Sequence, residues 1–163
     1  MPSLRIRPAH AHDRDLLARW AAAMALETEH KQLDEATVRA GMEAGIADPS
    51  KARYFIAMHE SSVAGRETIA APAGTLMLTR EWSDWRNGDW WWIQSVYVPP
   101  QFRRMGVFTA LYRHVEQLAR DTPGVVGLRL YVERENANAL KTYEVLGMTD
   151  AGYSILEAEF PTR

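Results

Sequence analysis

The run Val96-Tyr97-Val98 stops at two consecutive prolines and gives way to Gln101-Phe102-Arg103-Arg104-Met105-Gly106-Val107-Phe108. Proline lacks the amide donor of a ladder, so a β-branched run that meets two of them must end there. Beyond the glycine, Val107, Leu111, Val115 and Leu118 fall on one helical stripe. The order is therefore a strand, a basic glycine-containing loop and a helix. A helix start exposes backbone N–H groups without partners and carries the positive end of the helix dipole. With a glycine that lets a ligand reach the backbone and two guanidinium groups beside it, such a start suits a phosphate or pyrophosphate. An ordinary strand–turn–helix with surface arginines has the same local pattern, so the choice rests on the rest of the chain.

A length of 163 residues predicts a single domain, 1–163, with room for a sizeable core. Hydrophobic residues at 47% and charged residues at 25% fit a soluble globular protein rather than a disordered one. The net charge of −2 offers no electrostatic signal for nucleic acid or a membrane surface. Cysteine is absent, which excludes disulfides, thiolate metal sites and a cysteine nucleophile, and fits a reducing cytoplasm. The N-terminus has no apolar signal core, and no apolar run reaches membrane-spanning length, so a cytoplasmic location is expected.

Read in order, Leu4–Arg7 alternates as a first strand, and Asp13 caps a helix from about Arg14 to Ala25 with Leu16, Leu17, Trp20 and Met24 inward. Glu27–Lys31 breaks the pattern. A second helix starts near Asp34, with Val38, Met42 and Ile46 on one face. Arg53–His59 is a strand; residues 60–72 read as a long hairpin connection that Pro72 keeps out of the sheet, and Gly74–Thr79 is the next strand. Glu81–Asp89 reads as a polar loop, Trp90–Val98 as the central strand, and Arg104–Asp121 as its helix. Val126–Val132 is a further strand, Asn138–Leu146 a short helix stopped by Gly147, and Ala151–Phe160 a last, weakly alternating strand. This predicts an α/β (α+β) fold with a mixed, mostly antiparallel sheet and helices on both faces.

A second stretch carries chemistry. After Leu130-Tyr131-Val132 comes a polar turn centred on Asn136, then a helix with Ala139 and Tyr143 on one face, ending at Leu146-Gly147-Met148. Two parallel strands joined by the Arg104 helix, the first ending at Pro99, would leave a cleft at their carboxyl ends, a natural ligand site. Taken together the two stretches resemble the GNAT superfamily of acetyl-CoA-dependent N-acetyltransferases. Arg103-Arg104-Met105-Gly106-Val107-Phe108 is similar to the Arg/Gln-x-x-Gly-x-Gly/Ala loop of its motif A. Asn136, Ala139, Tyr143, Gly147 and Met148 match its motif B.

The resemblance implies the acyl-CoA N-acyltransferase fold and acetyl-CoA as cosubstrate, without a metal. It implies that the N–H groups of Arg104, Met105, Gly106, Val107 and Phe108, beside Arg103, hold the coenzyme pyrophosphate. The edge of Val96, Tyr97 and Val98 would pair with the pantetheine arm, Asn136 and Ala139 would complete the coenzyme site, and Tyr143 would protonate the departing thiolate. A tyrosine that merely packs its helix on the sheet is the alternative. Phe108 departs from the family's Gly or Ala, and Gln94 stands where many members place a glutamate base. Glu81, Asp84, Asp89, Glu27, Glu29 or solvent remain as substitutes for that base. The five histidines show no metal-ligand spacing. Trp90-Trp91-Trp92 suits core packing on both sheet faces, although with Trp82, Trp85 and nearby acids it also suits a cationic amine.

The expected function is acetyl transfer from acetyl-CoA to a primary amine, on a small molecule or a peptide, by direct attack in a ternary complex. A non-catalytic acyl-CoA-binding or regulatory module on the same scaffold is the alternative, followed by a structural interaction protein that binds no coenzyme. No nucleic-acid or membrane partner is expected, and the resemblance allows a homodimer.

Overall fold

Alternation in the apolar runs and 3.6-residue periodicity elsewhere set the element order β1-α1-α2-β2-β3-β4-α3-β5-α4 in the computed structural model, which describes residues 3–61 and 69–160. The elements are β1 (Ser3–Pro8), α1 (Arg14–Glu29), α2 (Glu35–Ala47), β2 (Arg53–Ser61), β3 (Ile69–Ser83), β4 (Gly88–Tyr97), α3 (Val107–Asp121), β5 (Val125–Leu130) and α4 (Ala137–Val145). Contacts divide the chain into two compact units, 1–130 and 131–163.

In the first unit the five strands lie in sequence order. The first three pairs are antiparallel, and β4 and β5, joined through α3, are parallel. The sheet is mixed and mostly antiparallel, as expected. Its two faces are covered by different helices. Tyr54, Ile56 and Met58 of β2 meet Leu17 and Trp20 of α1 and Met42 and Ile46 of α2. On the opposite face Phe55 meets His114 of α3. Val107, Leu111 and Val115 are fully buried, each contributing about 1.5–3 kcal/mol relative to exposure. Tyr112 and Ala119 are buried beside them, while Leu118 of the expected stripe is only half-buried.

Local chemistry explains the boundaries. Asp34 caps α2 by accepting from the Thr37 N–H at 2.8 Å. α1 runs past the expected break and closes at His30 in the left-handed region (φ 52°). The turn before α1 is fixed by buried Asp13, which takes two hydrogen bonds from Arg7, at 2.7 and 2.8 Å, and one from the His10 N–H at 2.8 Å. Burial alone would raise the Asp13 pKa, but Arg7 and the His10 amide outweigh it and hold the carboxyl below its ordinary range.

Two expectations fail in unit 1. Pro72 does not interrupt β3; it faces Met58 at a β-bulge, where a missing amide costs no ladder bond. Much of the polar loop is strand as well, since Glu81 pairs with Trp90, Trp82 with Asp89 and Ser83 with Gly88. Cross-strand pairing with aromatic residues outweighs the polar composition there. Residues 62–68 of the expected hairpin connection lie outside the described residues.

The second unit contains α4. Asn136 caps it, its side-chain oxygen accepting from the Ala139 N–H at 3.0 Å. Gly147 (φ 88°) ends it, and the Met148 N–H donates to the Tyr143 carbonyl at 2.9 Å. The last strand expected over 151–160 is absent. A strand needs a ladder partner, and the weak alternation of Tyr153 and Ile155, followed by Glu157 and Glu159, has none there.

Candidate functional site

β4 changes character along its length. From Asp89 to Ile93 it pairs with β3 on one side and β5 on the other; Ser95, Val96 and Tyr97 pair with β3 alone. The register shift between Met77 and Leu78 makes Gln94 the extra residue of a bulge, its side-chain amide donating to the Thr79 hydroxyl at 2.9 Å. Val96–Val98 thus presents a strand edge with no partner strand among the described residues.

Pro99 and Pro100 lead into a 3-10 turn, Pro100–Phe102, and then to α3. The N-cap of α3 is Gly106 at φ 77°, preceded by Arg104 at φ 61°. Two left-handed residues in three swing the amides of the loop to one side, as in an anion-binding nest. A Cβ added to Gly106 would meet nothing within 4 Å, so the space over this helix start is open. The Ala110 N–H is the first in the helix to find a helical acceptor, the Gly106 carbonyl at 2.9 Å, which leaves the Gly106, Val107 and Thr109 amides without a backbone acceptor among the described residues. Gly74 of β3 lets this start sit close to the sheet: a Cβ there would lie 2.8 Å from Val107 and 3.1 Å from the Tyr97 carbonyl. Phe108 stacks along the helix against Tyr112, ring centroids 6.2 Å apart.

Arg103 and Arg104 separate in role. Arg103 donates to the Val98 carbonyl at 2.9 Å and to Glu27 of α1, whose other oxygen accepts from the Tyr97 hydroxyl at 2.9 Å. These contacts lock the end of α1, the end of β4 and the loop together. Arg103, then Tyr97, hold the Glu27 carboxyl below its ordinary range, while burial and then Glu27 raise the Tyr97 phenol. Glu27 is therefore a clamp rather than a free base. Sequence reasoning missed this clamp, because its members lie 70 and 76 residues apart with no local pattern.

Of the other carboxylates considered as bases, Glu29 is the last residue of α1, whereas Glu81, Asp84 and Asp89 stand at the far end of β4. Glu81 binds Trp92 and Arg129, and Asp89 lies 3.7 Å from Arg80. Gly88 to Tyr97 spans about 30 Å of strand. The tryptophan cluster is at that far end too, and its cation–π positions are filled from within: Arg129 lies 4.2 Å from the Trp90 ring and Arg86 5.3 Å. Trp91 is buried in the core, whereas Trp82 and Trp85 are exposed. At Trp90 the place of an external cation is thus taken by the chain's own arginines.

The structure thus brings Val96, Tyr97 and Val98 together with Arg103–Phe108 in the first unit. Asn136, Ala139 and Tyr143 share α4 in the second, where the Asn136 oxygen is committed to its cap. Burial raises the Tyr143 pKa above its ordinary value. Among the described residues no group of three or more His, Cys, Asp or Glu could hold a metal ion, and no helix is long and apolar enough to cross a membrane.

Comparison with known proteins bears on this arrangement. The model of the acetyltransferase (GNAT) family matches residues 17–148. The chain is 36% identical over 75 residues to the thialysine N-epsilon-acetyltransferase of Caenorhabditis elegans, and the match spans about half of each protein, 46% of this chain and 46% of that one. Among solved structures it is similar to a possible acetyltransferase from Clostridium difficile 630, with 37% identity, a TM-score of 0.84, and 98% of this chain and 99% of that chain covered. The ribosomal-protein-alanine N-acetyltransferase of Brucella melitensis biovar Abortus 2308 shares the fold at 18% identity and a TM-score of 0.69, with 97% and 100% covered. By its family match and its full-length likeness to a solved relative, the chain belongs to the GNAT acetyltransferase family.

Proposed function

We propose that this protein, acting as one domain over 1–163, transfers the acetyl group of acetyl-CoA to a primary amine by direct attack in a ternary complex. The observation that carries the reading is the α3 start: a left-handed Gly106 under open space, amides without backbone acceptors, and a free β4 edge leading to it. The amides and helix dipole suit a pyrophosphate, and the edge suits the amides of a pantetheine arm, which can pair as an added strand would. Arg104 is the cation free to approach the phosphates, with Arg103 holding the loop's shape.

In the reaction the amine nitrogen bonds to the thioester carbonyl carbon, the carbon–sulfur bond breaks, and the sulfur leaves with a proton. Tyr143, a phenol protonated at neutral pH, supplies that proton, and the proton that the attacking nitrogen sheds as the amide forms restores it through solvent. The ammonium of the acceptor first loses a proton to water, since Gln94 cannot serve and Glu27 is ion-paired. The C. elegans relative, named for acetylation at an N-epsilon position, supports a small primary amine as acceptor. The competing reading, a coenzyme-binding module without turnover, is favoured by Gln94 in place of a strand carboxylate.

Thiol release from acetyl-CoA with a panel of amines separates the two, because a module binds coenzyme and releases nothing. With an active amine in hand, Tyr143→Phe keeps the ring and removes its proton. We expect kcat to fall by about 10²–10⁴-fold with acetyl-CoA affinity and melting temperature nearly unchanged. A wild-type kcat in this variant leaves Tyr143 as packing.

A further inference from the structure

The α3 face of the sheet carries a cationic cluster that the acetyl-transfer reading does not use. Arg53 opens β2 and is paired with Leu78 of β3; Arg80 follows Leu78 by two residues, so both arginines project from the same face of neighbouring strands. The Arg53 guanidinium lies over two core rings, 4.8 Å from the centroid of Trp91 and 5.4 Å from that of Phe55. His114 of α3 stands edge-on to Phe55 at 5.2 Å and closes the third side. Aromatic faces stabilise the flat side of a guanidinium but leave the donors around its edge without acceptors. Among the described residues neither Arg53 nor Arg80 makes a hydrogen bond, and the one carboxylate close by is Asp89, 3.7 Å from Arg80. Arg53 is half-buried, and burial, then Arg80, pull its pKa down, which is the mark of a cation short of a counter-charge.

We propose that Arg53 and Arg80, with His114 at the rim, form a binding site for a small oxyanion, a carboxylate or a phosphate group. A fixed guanidinium fork matches two oxygens of such a group, and pinning Arg53 between rings removes much of the ordering cost. The site is separate from the helix start, since His114 is seven residues into α3 from Val107, about 10 Å along the axis. A bound anion also relieves the repulsion that Arg53 exerts on His114, whose pKa burial and Arg53 hold below its ordinary value.

The test is nitrogen-15 NMR of the arginine Nε–Hε groups during separate titrations with inorganic phosphate and with sodium acetate at constant ionic strength. The Arg53 signal is assigned by its loss in Arg53→Lys. We expect that signal to shift saturably, the His114 pKa to rise in the same titration, and Arg80→Met to weaken binding by about tenfold or more. Gly106→Glu should leave the titration unchanged, so a failure of the coenzyme reading stays distinguishable. Saturation by phosphate alone, by acetate alone or by both identifies the oxyanion class. A linear, non-saturating shift, or equal affinity in Arg80→Met, overturns the site.

Discussion

The two ends of β4 each place a glycine at a critical point, for opposite reasons. At the N-terminal end, a Cβ on Gly88 would sit 2.5 Å from the Gly124 carbonyl oxygen and 2.6 Å from Val126, so the position is glycine because the chain packs against it. At the other end, Gly106 has nothing within 4 Å and a φ of 77°. Its backbone is bent so that something else can approach. The same contrast runs through the side chains. Trp90 and Trp92 are laced to β5 through Arg129 and to β3 through Glu81, whereas beyond Gln94 the strand loses β5 and keeps a bare edge. A glycine crowded by backbone serves packing; a glycine at positive φ in open space beside amides without backbone acceptors leaves room for a ligand.

This contrast can be broken from either side. Gly88→Ala should have the largest effect on stability, a loss of about 3 kcal/mol in denaturant unfolding, because the nearest atom is backbone and cannot swing away. Acetyl-CoA affinity of the folded variant should be unchanged; wild-type stability would mean that the Gly124 turn yields. Arg129→Met comes next, at about 1–2 kcal/mol, from the lost stack on Trp90 and the lost Glu81 pair, 3.0 Å long. A fully neutral result would reduce the aromatic ladder to surface decoration. Gly106→Ala should cost least, about 1 kcal/mol for the left-handed backbone, without a steric clash. A loss as large as that at Gly88 would erase the distinction between the two glycines.

What the sequence made legible follows from how far apart the interacting residues are. The α3 loop was readable because strand end, prolines, arginines and glycine are contiguous, and Asn136 to Met148 likewise spans a single helix. Helix α2 was readable from Asp34 and its four-residue repeat. The Glu27–Tyr97–Arg103 clamp was not, because an exposed glutamate near a helix end carries no trace of a partner 70 residues away. Pro72 misled for a related reason: a bulge is defined by the register of the facing strand, which a single segment does not contain. The Trp90 ring looked available for an external cation, and only the strand pairing revealed Arg129 over it. The 151–160 segment shows the converse, where two alternating apolar residues suggested a strand and no ladder partner exists in its own unit.

The central claim is that the open end of β4, with the start of α3, is the coenzyme site. Calorimetric titration of wild type and Gly106→Glu with acetyl-CoA tests it most directly, alongside a melting curve to establish that the variant is folded. A glutamate there occupies the open space and sets a negative charge against the same amides. The account predicts saturable binding by the wild type and none by the folded variant. Equal affinity in the two proteins would contradict it and put the pyrophosphate elsewhere.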